Sequence, residues 1–336
     1  MQMKKFTAYI LVLCFVLLAG CGQTLPEQTT SEQTTTAQES QVATTEARGE
    51  HMLNGKRVLF VGNSHTYYGK VVLEKSRGVL TQEERSNDQG FFYQLCKANG
   101  AEVAVTNWTF GGHGFGDLFE VCAANRGCDG VDHKSYLTDR VFDYVFLQIG
   151  SGSAEMDNAA FLAQCESVMA IFREANPEVK FLFLVQHTVH KGAYQWLPAL
   201  KELENMGVTV VDWGALVCDL INKKTEVPGG NQQYFQNTFI VSQSKSDGYH
   251  PNMLTGYLTA LFAYCALTGE SAVGQTYAFC NDTSINVRFN LEKFQAQYYT
   301  HDPYTNFVDV FASEADMNGL QQLVDQYLTE KAYRNY

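Results

Sequence analysis

The chain is poor in basic residues. It has 24 lysines and arginines against 36 aspartates and glutamates, which gives a formal net charge of -12. A protein that holds nucleic acid through its phosphates needs a basic face, and no local stretch of this sequence forms a basic stripe. The composition therefore argues against nucleic acid as a partner.

The apolar run near the N-terminus is short. The run from Tyr9 to Leu18 follows two lysines and is shorter than the about 20 apolar residues that a membrane-spanning helix needs. Its charge, length and small-residue ending are typical of a secretory signal peptide. The ending LAGC resembles the lipobox of bacterial lipoproteins, which predicts a signal peptide over residues 1–20 and lipidation of Cys21. An ordinary cleaved signal or an N-terminal anchor is the alternative, and either one also places the remaining chain outside the cytoplasm.

Residues 21–50 have almost no apolar side chains and consist largely of Thr, Gln, Glu and Ser. Such a segment buries too little surface to offset the entropy lost on ordering. We interpret it as a disordered tether between the lipidated cysteine and the globular part. The remaining residues, 51–336, are predicted to form one domain with insertions, held by its lipid at the extracytoplasmic face of the bacterial cell membrane.

Cysteine usage limits the disulfides that this domain can form. Two of the nine cysteines lie in the N-terminal segment, which leaves seven, so at least one thiol stays unpaired. Cys122 and Cys128 lie in a loop rich in Gly, Asp and Asn and are the predicted disulfide, since an exported domain tolerates such bonds. Cys165 and Cys265 occupy apolar positions of predicted helices, which favours buried free thiols.

Several motifs that would assign a cofactor or a known nucleophile are missing. A Walker loop is excluded because Gly62 and the Gly69–Lys70 pair are too widely spaced. The Gly-x-Ser-x-Gly elbow is excluded because Thr66 stands where its second glycine would be. His187 and His190 lack the glutamate and the third ligand of a metalloprotease site. We therefore predict neither a metal nor any other cofactor.

What the sequence does contain is an alternation of strands and helices. The predicted strands are continuous apolar runs, which suit strands that are buried on both faces of a parallel sheet. Alternation with helices predicts a doubly wound α/β domain, in which ligands bind beyond the carboxyl ends of the strands. Three long irregular stretches, at 68–90, 117–140 and 270–303, are candidate lids or rims of a site. The predicted strands cover 57–61, 103–105, 144–149, 181–185 and 208–211, and the predicted helices cover 161–172, 197–206, 253–268 and 320–328.

Ser64 follows the first predicted strand, two residues beyond its terminal Gly62. A side chain at this point projects into the crevice where ligands bind, so a nucleophile is one interpretation. The other is a serine that caps the next helix.

A serine nucleophile needs a base, and the base needs a group that orients it. The stretch DGYHPN supplies Asp247 and His250 three residues apart, just before a predicted helix. The carboxylate could hold the imidazole while the other ring nitrogen faces the crevice. A turn-closing aspartate beside a surface histidine is the alternative.

GNSHT near the N-terminus and DGYHPN near the C-terminus together resemble the motifs of the SGNH (GDSL-like) hydrolase superfamily. The resemblance extends from Phe60 to about Leu267. It implies a flavodoxin-like three-layer fold with a mostly parallel sheet, and a catalytic triad of Ser64, Asp247 and His250. His65 is then interpreted as a neighbour of the nucleophile that carries no proton.

The resemblance also implies an oxyanion hole, formed by backbone and side-chain N–H groups that stabilise the developing negative charge. Ser64 and a glycine after the second strand, Gly112 or the adjacent Gly111, would contribute two donors. The asparagine that the family carries after the third strand is absent. This chain reads Leu-Gln-Ile-Gly-Ser there, like a subgroup with Leu-Gln-x-x-Ser, so Gln148 or Ser151 would supply the third donor.

These observations predict a lipid-anchored serine esterase that uses no cofactor. An anchored, exported enzyme meets cell-wall glycans, and many members of the superfamily remove acetyl groups from sugars, so an acetylated glycan is the expected partner. A lipase or lysophospholipase, and a degenerate glycan-binding lipoprotein without activity, are the alternatives.

Overall fold

The computed structural model describes residues 50–67, 69–72, 90–109, 114–115, 140–149, 154–192, 194–230, 239, 250–281 and 313–335. The chain divides into two units, Met1–Ala47 and Arg48–Tyr336, and the described residues all belong to the second. The signal peptide, Cys21, most of the tether and the Cys122–Cys128 pair therefore lie outside the described residues. Within the described ranges, every helix is too short or too polar to cross a bilayer.

Five parallel strands form one sheet at the centre of the second unit. Their spatial order is β2-β1-β3-β4-β5, which is the flavodoxin-like order. All four neighbouring pairs are parallel. The predicted doubly wound α/β fold is thereby confirmed. The strands are β1 (Arg57–Gly62), β2 (Ala104–Thr109), β3 (Tyr144–Leu147), β4 (Lys180–Leu184) and β5 (Thr209–Val211).

Eight α-helices lie among the described residues. They are α1 (Ser64–Tyr67), α2 (Phe91–Ala98), α3 (Asn158–Ala175), α4 (His187–Gly192), α5 (Leu200–Asn205), α6 (Trp213–Ile221), α7 (Met253–Thr268) and α8 (Glu314–Glu330). Short 3-10 helices cover Leu197–Ala199, Ala278–Asn281 and Ala332–Asn335. The prediction of a helix over 253–268 is confirmed at both ends, and the 320–328 prediction lies inside α8.

Each face of the sheet carries its own apolar core, because successive side chains of a strand point to opposite faces. In β1, Val58 and Phe60 pack into the core shared with α2, α7 and α8. Leu59 and Val61 pack into the core shared with α3. The domain thus has three layers, with helices on both sides of the sheet.

Polar residues at the helix starts explain where several helices begin. Side chains of Asp157, Asp212 and Asn252 accept hydrogen bonds from backbone N–H groups in the first turns of α3, α6 and α7. Ser313 and Asp316 form a reciprocal capping box at α8. Such caps satisfy donors that have no partner inside the helix. The chain leaves α5 at Gly207, which has a φ of +85°, as the sequence predicts for a left-handed cap.

The free cysteines among the described residues follow their predicted environments. Cys165 and Cys265 are both buried and unpaired. Burial raises the pKa of each thiol far above its usual range, because the thiolate is poorly solvated there. Both thiols therefore act as core side chains.

Candidate active site

The β1 strand delivers Ser64 to the carboxyl edge of the sheet. Asn63 begins the turn: its side-chain Oδ1 accepts from the His65 backbone N–H at 3.1 Å, and its carbonyl accepts from the Thr66 N–H at 3.0 Å. Ser64 is thereby the first residue of α1. Its backbone N–H has no partner within the helix, as an oxyanion donor requires. The side chain lies at the β1–β3 switch point of the sheet, where such folds bind ligands.

His250 meets Ser64 from the other end of the sequence. Its Nε2 lies 2.7 Å from the Ser64 Oγ, a normal distance for a hydrogen bond to a hydroxyl. The two residues are 186 positions apart. The structure therefore brings together the predicted nucleophile and the predicted base.

The segment that carries His250 is held by the start of α7. The Asn252 side chain caps Thr255 at 3.1 Å, while the Asn252 N–H and the Thr255 hydroxyl both donate to the Phe239 carbonyl. These hydrogen bonds fix the turn two residues beyond the imidazole. Asp247, Gly111, Gly112 and Ser151, which the sequence assigns to the triad and the oxyanion hole, lie outside the described residues.

A close approach of two glycines joins the turn after α1 to helix α7. A Cβ atom built on Gly256 would overlap the carbonyl oxygen of Gly69, and one built on Gly69 would lie 2.9 Å from the Asn252 carbonyl oxygen. Only hydrogen fits at these two positions. The absence of side chains lets the Ser64 turn and the His250-bearing helix approach to backbone contact.

Gln148 lies at the end of β3 and supports the Ser64 turn. Its Oε1 accepts from the Asn63 N–H at 3.2 Å and from the Thr66 hydroxyl at 2.9 Å. Its Nε2 donates to the Gln186 Oε1 at 2.7 Å and to the Ile149 carbonyl. Gln148 and Gln186 are almost completely buried. Both glutamines therefore belong to a buried network that connects the ends of β1, β3 and β4.

The same network explains Gly62. A Cβ atom at this position would lie 2.8 Å from the Thr66 Oγ1 and 3.0 Å from the Gln148 Oε1. The strand ends in glycine because the Gln148 carboxamide occupies the space beside it.

Oxyanion donation by Gln148 stays a prediction. Its Nε2 already donates to two acceptors, so a hydrogen bond to an oxyanion would have to replace one of them. The contacts indicate a further role, which is to hold the backbone on both sides of Ser64.

Replacing Gln148 with alanine is expected to lower the free energy of unfolding by about 3 kcal/mol, since buried polar partners lose their hydrogen bonds. Displacement of the turn should also reduce esterase activity by about 10²-fold. Thermal unfolding and ester turnover measure both effects. Gln326→Ala, which changes an exposed glutamine of α8, is the matched control. A Gln148→Ala protein of unchanged stability but reduced turnover would instead support oxyanion donation as the main role.

Two further histidines lie close to His250. The ring of His65 stacks on that of His250, with centroids 5.1 Å apart and an interplanar angle of 27°. The His187 ring lies 6.0 Å from His65 and 5.7 Å from Trp213. Among the described residues, no group of three or more His, Cys, Asp and Glu is arranged to hold a metal ion.

His190 forms an ion-pair contact with Asp212 that the sequence interpretation missed. The His190 Nε2 lies 2.7 Å from the Asp212 Oδ1, and both side chains are about 5% exposed or less. Asp212 also caps α6 through the Ala215 N–H. The sequence contained a signal for this contact, because His190 and Asp212 follow the carboxyl ends of the neighbouring strands β4 and β5.

Lys70 ends the turn that follows α1 and is buried. Burial lowers the pKa of its amine to about 7, with a smaller opposing effect from Cys280, because the charged form loses its solvation. Lys70 therefore carries less positive charge near neutral pH than an exposed lysine would.

No protein family matches the chain by sequence, and no curated protein is similar to it. Solved structures give matches of low identity. A DUF4886 family protein from Bacteroides uniformis is 15% identical with a TM-score of 0.47, and the match covers 82% of this chain and 95% of that one.

Two further structures carry descriptions of activity. A protein described as a GDSL-like lipase, from Parabacteroides merdae, is 15% identical with a TM-score of 0.43, covering 66% of this chain and 98% of that one. A family 3 carbohydrate esterase from Clostridium thermocellum is 15% identical with a TM-score of 0.38, covering 62% and 93% respectively. The structures similar to this chain thus include GDSL-like and carbohydrate-esterase proteins, at TM-scores below 0.5.

Proposed function

We propose that the chain is a serine esterase that hydrolyses carboxylic esters through Ser64, His250 and Asp247. The observation that carries this proposal is the 2.7 Å distance between the Ser64 Oγ and the His250 Nε2. A hydroxyl becomes an effective nucleophile when a base within hydrogen-bond distance takes its proton. If Ser64 only capped a helix, nothing would require a histidine 186 positions away to lie within hydrogen-bond distance of its hydroxyl.

In this mechanism the Ser64 Oγ attacks the ester carbonyl while its proton moves to the His250 Nε2. The carbonyl electron pair becomes an oxyanion. When the tetrahedral intermediate collapses, the bond to the leaving alcohol breaks and His250 protonates that alcohol. Water then attacks the acyl-enzyme with His250 as base, which releases the acid and restores Ser64. Asp247 orients His250 and stabilises its charged form.

The oxyanion is held by backbone N–H groups of Ser64 and Gly112, with Gln148 as the third donor. The position of Ser64 as the first residue of α1 supports its part, because that N–H is directed out of the helix. Each such donor contributes about 10² to 10³ in rate.

The proposed substrate is an acetylated glycan outside the cytoplasm. A lipidated Cys21 would anchor the enzyme at the extracytoplasmic face of the membrane, and residues 22–50 would tether it. An enzyme held there meets cell-wall and exported polysaccharides. The net charge of -12 favours a neutral over an acidic glycan, because an acidic one would be repelled.

A chain-length comparison of ester substrates tests the acyl group. We expect the purified protein to hydrolyse p-nitrophenyl acetate with a kcat/KM about tenfold or more above that for p-nitrophenyl octanoate, since a pocket shaped for acetyl excludes longer chains. Acetate release from acetylated polysaccharides then identifies the glycan. Faster hydrolysis of the octanoate would favour a lipase-type enzyme, and no turnover above the buffer rate would contradict the esterase proposal.

A further inference from the structure

We propose that His65 is a positioning residue for the catalytic base: its stacked ring keeps the His250 Nε2 on Ser64. This inference rests on the proposed esterase function. It also extends the sequence interpretation of His65, which gave this residue no role in proton transfer.

Two consecutive residues hold His250 from two directions. Ser64 Oγ lies 2.7 Å from the His250 Nε2, and the neighbouring His65 ring stacks on the His250 ring at 5.1 Å and 27°. A hydrogen bond alone leaves an imidazole free to rotate about the axis of that bond. A stacked ring removes this freedom because rotation would lose the ring-to-ring contact.

His65 is itself fixed, as a positioning residue must be. It is 4% exposed, and its backbone N–H donates to the Asn63 Oδ1 at 3.1 Å. Its ring also meets the ring of His187 at 6.0 Å with an angle of 65°. Helix α4, which carries His187, packs on α6 through Gly214, where the two backbones are in close contact. The support of His250 therefore continues into the rigid body of the domain.

The contacts connect three imidazoles, since the His65 ring meets both His250 and His187. During the attack His250 gains a proton and becomes positively charged. A neutral ring stacked against it stabilises that charge.

Helix α4 carries a second histidine besides His187. His187 approaches His65 from α4, and one helical turn further on His190 contacts Asp212 at 2.7 Å. Asp212 lies at the start of α6, and its carboxylate is shared between His190 and the Ala215 N–H. Asp247, which the triad assigns to His250, lies outside the described residues. Any test must therefore separate His65 from His187.

Two substitutions of His65 test the stacking. His65→Ala removes the ring and is expected to reduce kcat for p-nitrophenyl acetate by about 10- to 10²-fold, with KM changed by less than about threefold, because misplacement of the base affects the chemical step. His65→Phe keeps a ring of similar size and is expected to restore kcat to within about threefold of the wild type.

His187→Phe is the matched control. It replaces an imidazole that contacts His65 and should reduce kcat less than His65→Ala does.

An NMR spectrum of the His250 ring makes the test independent of turnover, with His250→Gln used to assign its signal. The ring signals are expected to broaden in His65→Ala, because the imidazole loses the ring that holds it, and to stay sharp in His65→Phe. Identical kcat values and identical His250 line widths in the wild type and His65→Ala would overturn the inference. A broadened His250 signal in His65→Ala, found in a protein without ester turnover, would refute the esterase function and leave the positioning contact standing.

Discussion

Replacing Ser64 with alanine is expected to reduce kcat for p-nitrophenyl acetate by about 10⁴-fold or more, as the loss of a serine nucleophile does in related chemistry. The substitution removes the Oγ that lies 2.7 Å from the His250 Nε2. No acyl-enzyme can then form, and only transition-state binding by the remaining donors can contribute. Steady-state turnover and labelling by a fluorophosphonate probe, located by mass spectrometry, measure the two consequences.

The control for this prediction is a serine remote from the site. Ser271 lies beyond the C-terminus of α7, where its hydroxyl donates to Asp325, and Ser271→Ala should retain both turnover and labelling. His250→Gln should lose activity to nearly the same extent as Ser64→Ala, and the double variant should lose little more, because the two residues act as a unit. Equal turnover by Ser64→Ala and the wild type would show that another residue is the nucleophile.

Gly256→Ala is expected to have a smaller but still large effect without touching a reacting group. The new methyl group would overlap the Gly69 carbonyl oxygen, so α7 and the turn after α1 must separate. Overpacking of this kind costs about 1 to 3 kcal/mol of stability, and occasionally more. Because His250 precedes α7 and Ser64 precedes Gly69, a separation of about 1 Å should reduce activity by about 10²-fold.

A substitution at a second glycine is the control that distinguishes this steric clash from backbone strain. Gly274 has a φ of +85° and open space where a Cβ would lie, so Gly274→Ala strains the backbone without a collision. It should lower stability by about 1 to 2 kcal/mol and leave kcat unchanged. Thermal denaturation and turnover of both variants make the comparison. Wild-type stability and activity in Gly256→Ala would mean that the two backbones are not in contact in solution.

The sequence predicted the strands with regular apolar composition well and the others less well. The β1 prediction missed one residue at its end, whereas the β2 prediction covered 103–105 and the strand is Ala104–Thr109. The second half of β2 contains Asn107 and Thr109, which are buried and hydrogen-bonded to each other at 2.6 Å. Polar side chains that satisfy one another inside a sheet leave no apolar pattern to detect.

Helix α7 was predicted although nearly all of its residues are buried. The sequence analysis missed α6, Trp213–Ile221, and α2, Phe91–Ala98, which are much shorter. It also missed α4, which has only six residues. Short helices depend on tertiary packing rather than on a periodic sequence.

For the site, Ser64 and His250 were predicted because each belongs to a compact motif. Gln148 was singled out, but not its hydrogen bonds to Asn63, Thr66 and Gln186. Nor did the sequence reveal the stacking of His65 on His250. These contacts join residues from separate strands and helices, and their geometry follows from the register of the sheet, which local patterns do not encode.

The wide separation of Ser64 and His250 along the chain has a consequence for folding. Closing a loop of 186 residues has an entropic cost that local structure does not repay, and contacts between distant segments slow folding. The sheet around β1 can form before α7 docks through Gly256 onto Gly69. Any fragment that ends before His250 then contains the nucleophile without its base, and a fragment that ends before α7 lacks the helix that holds His250 in place.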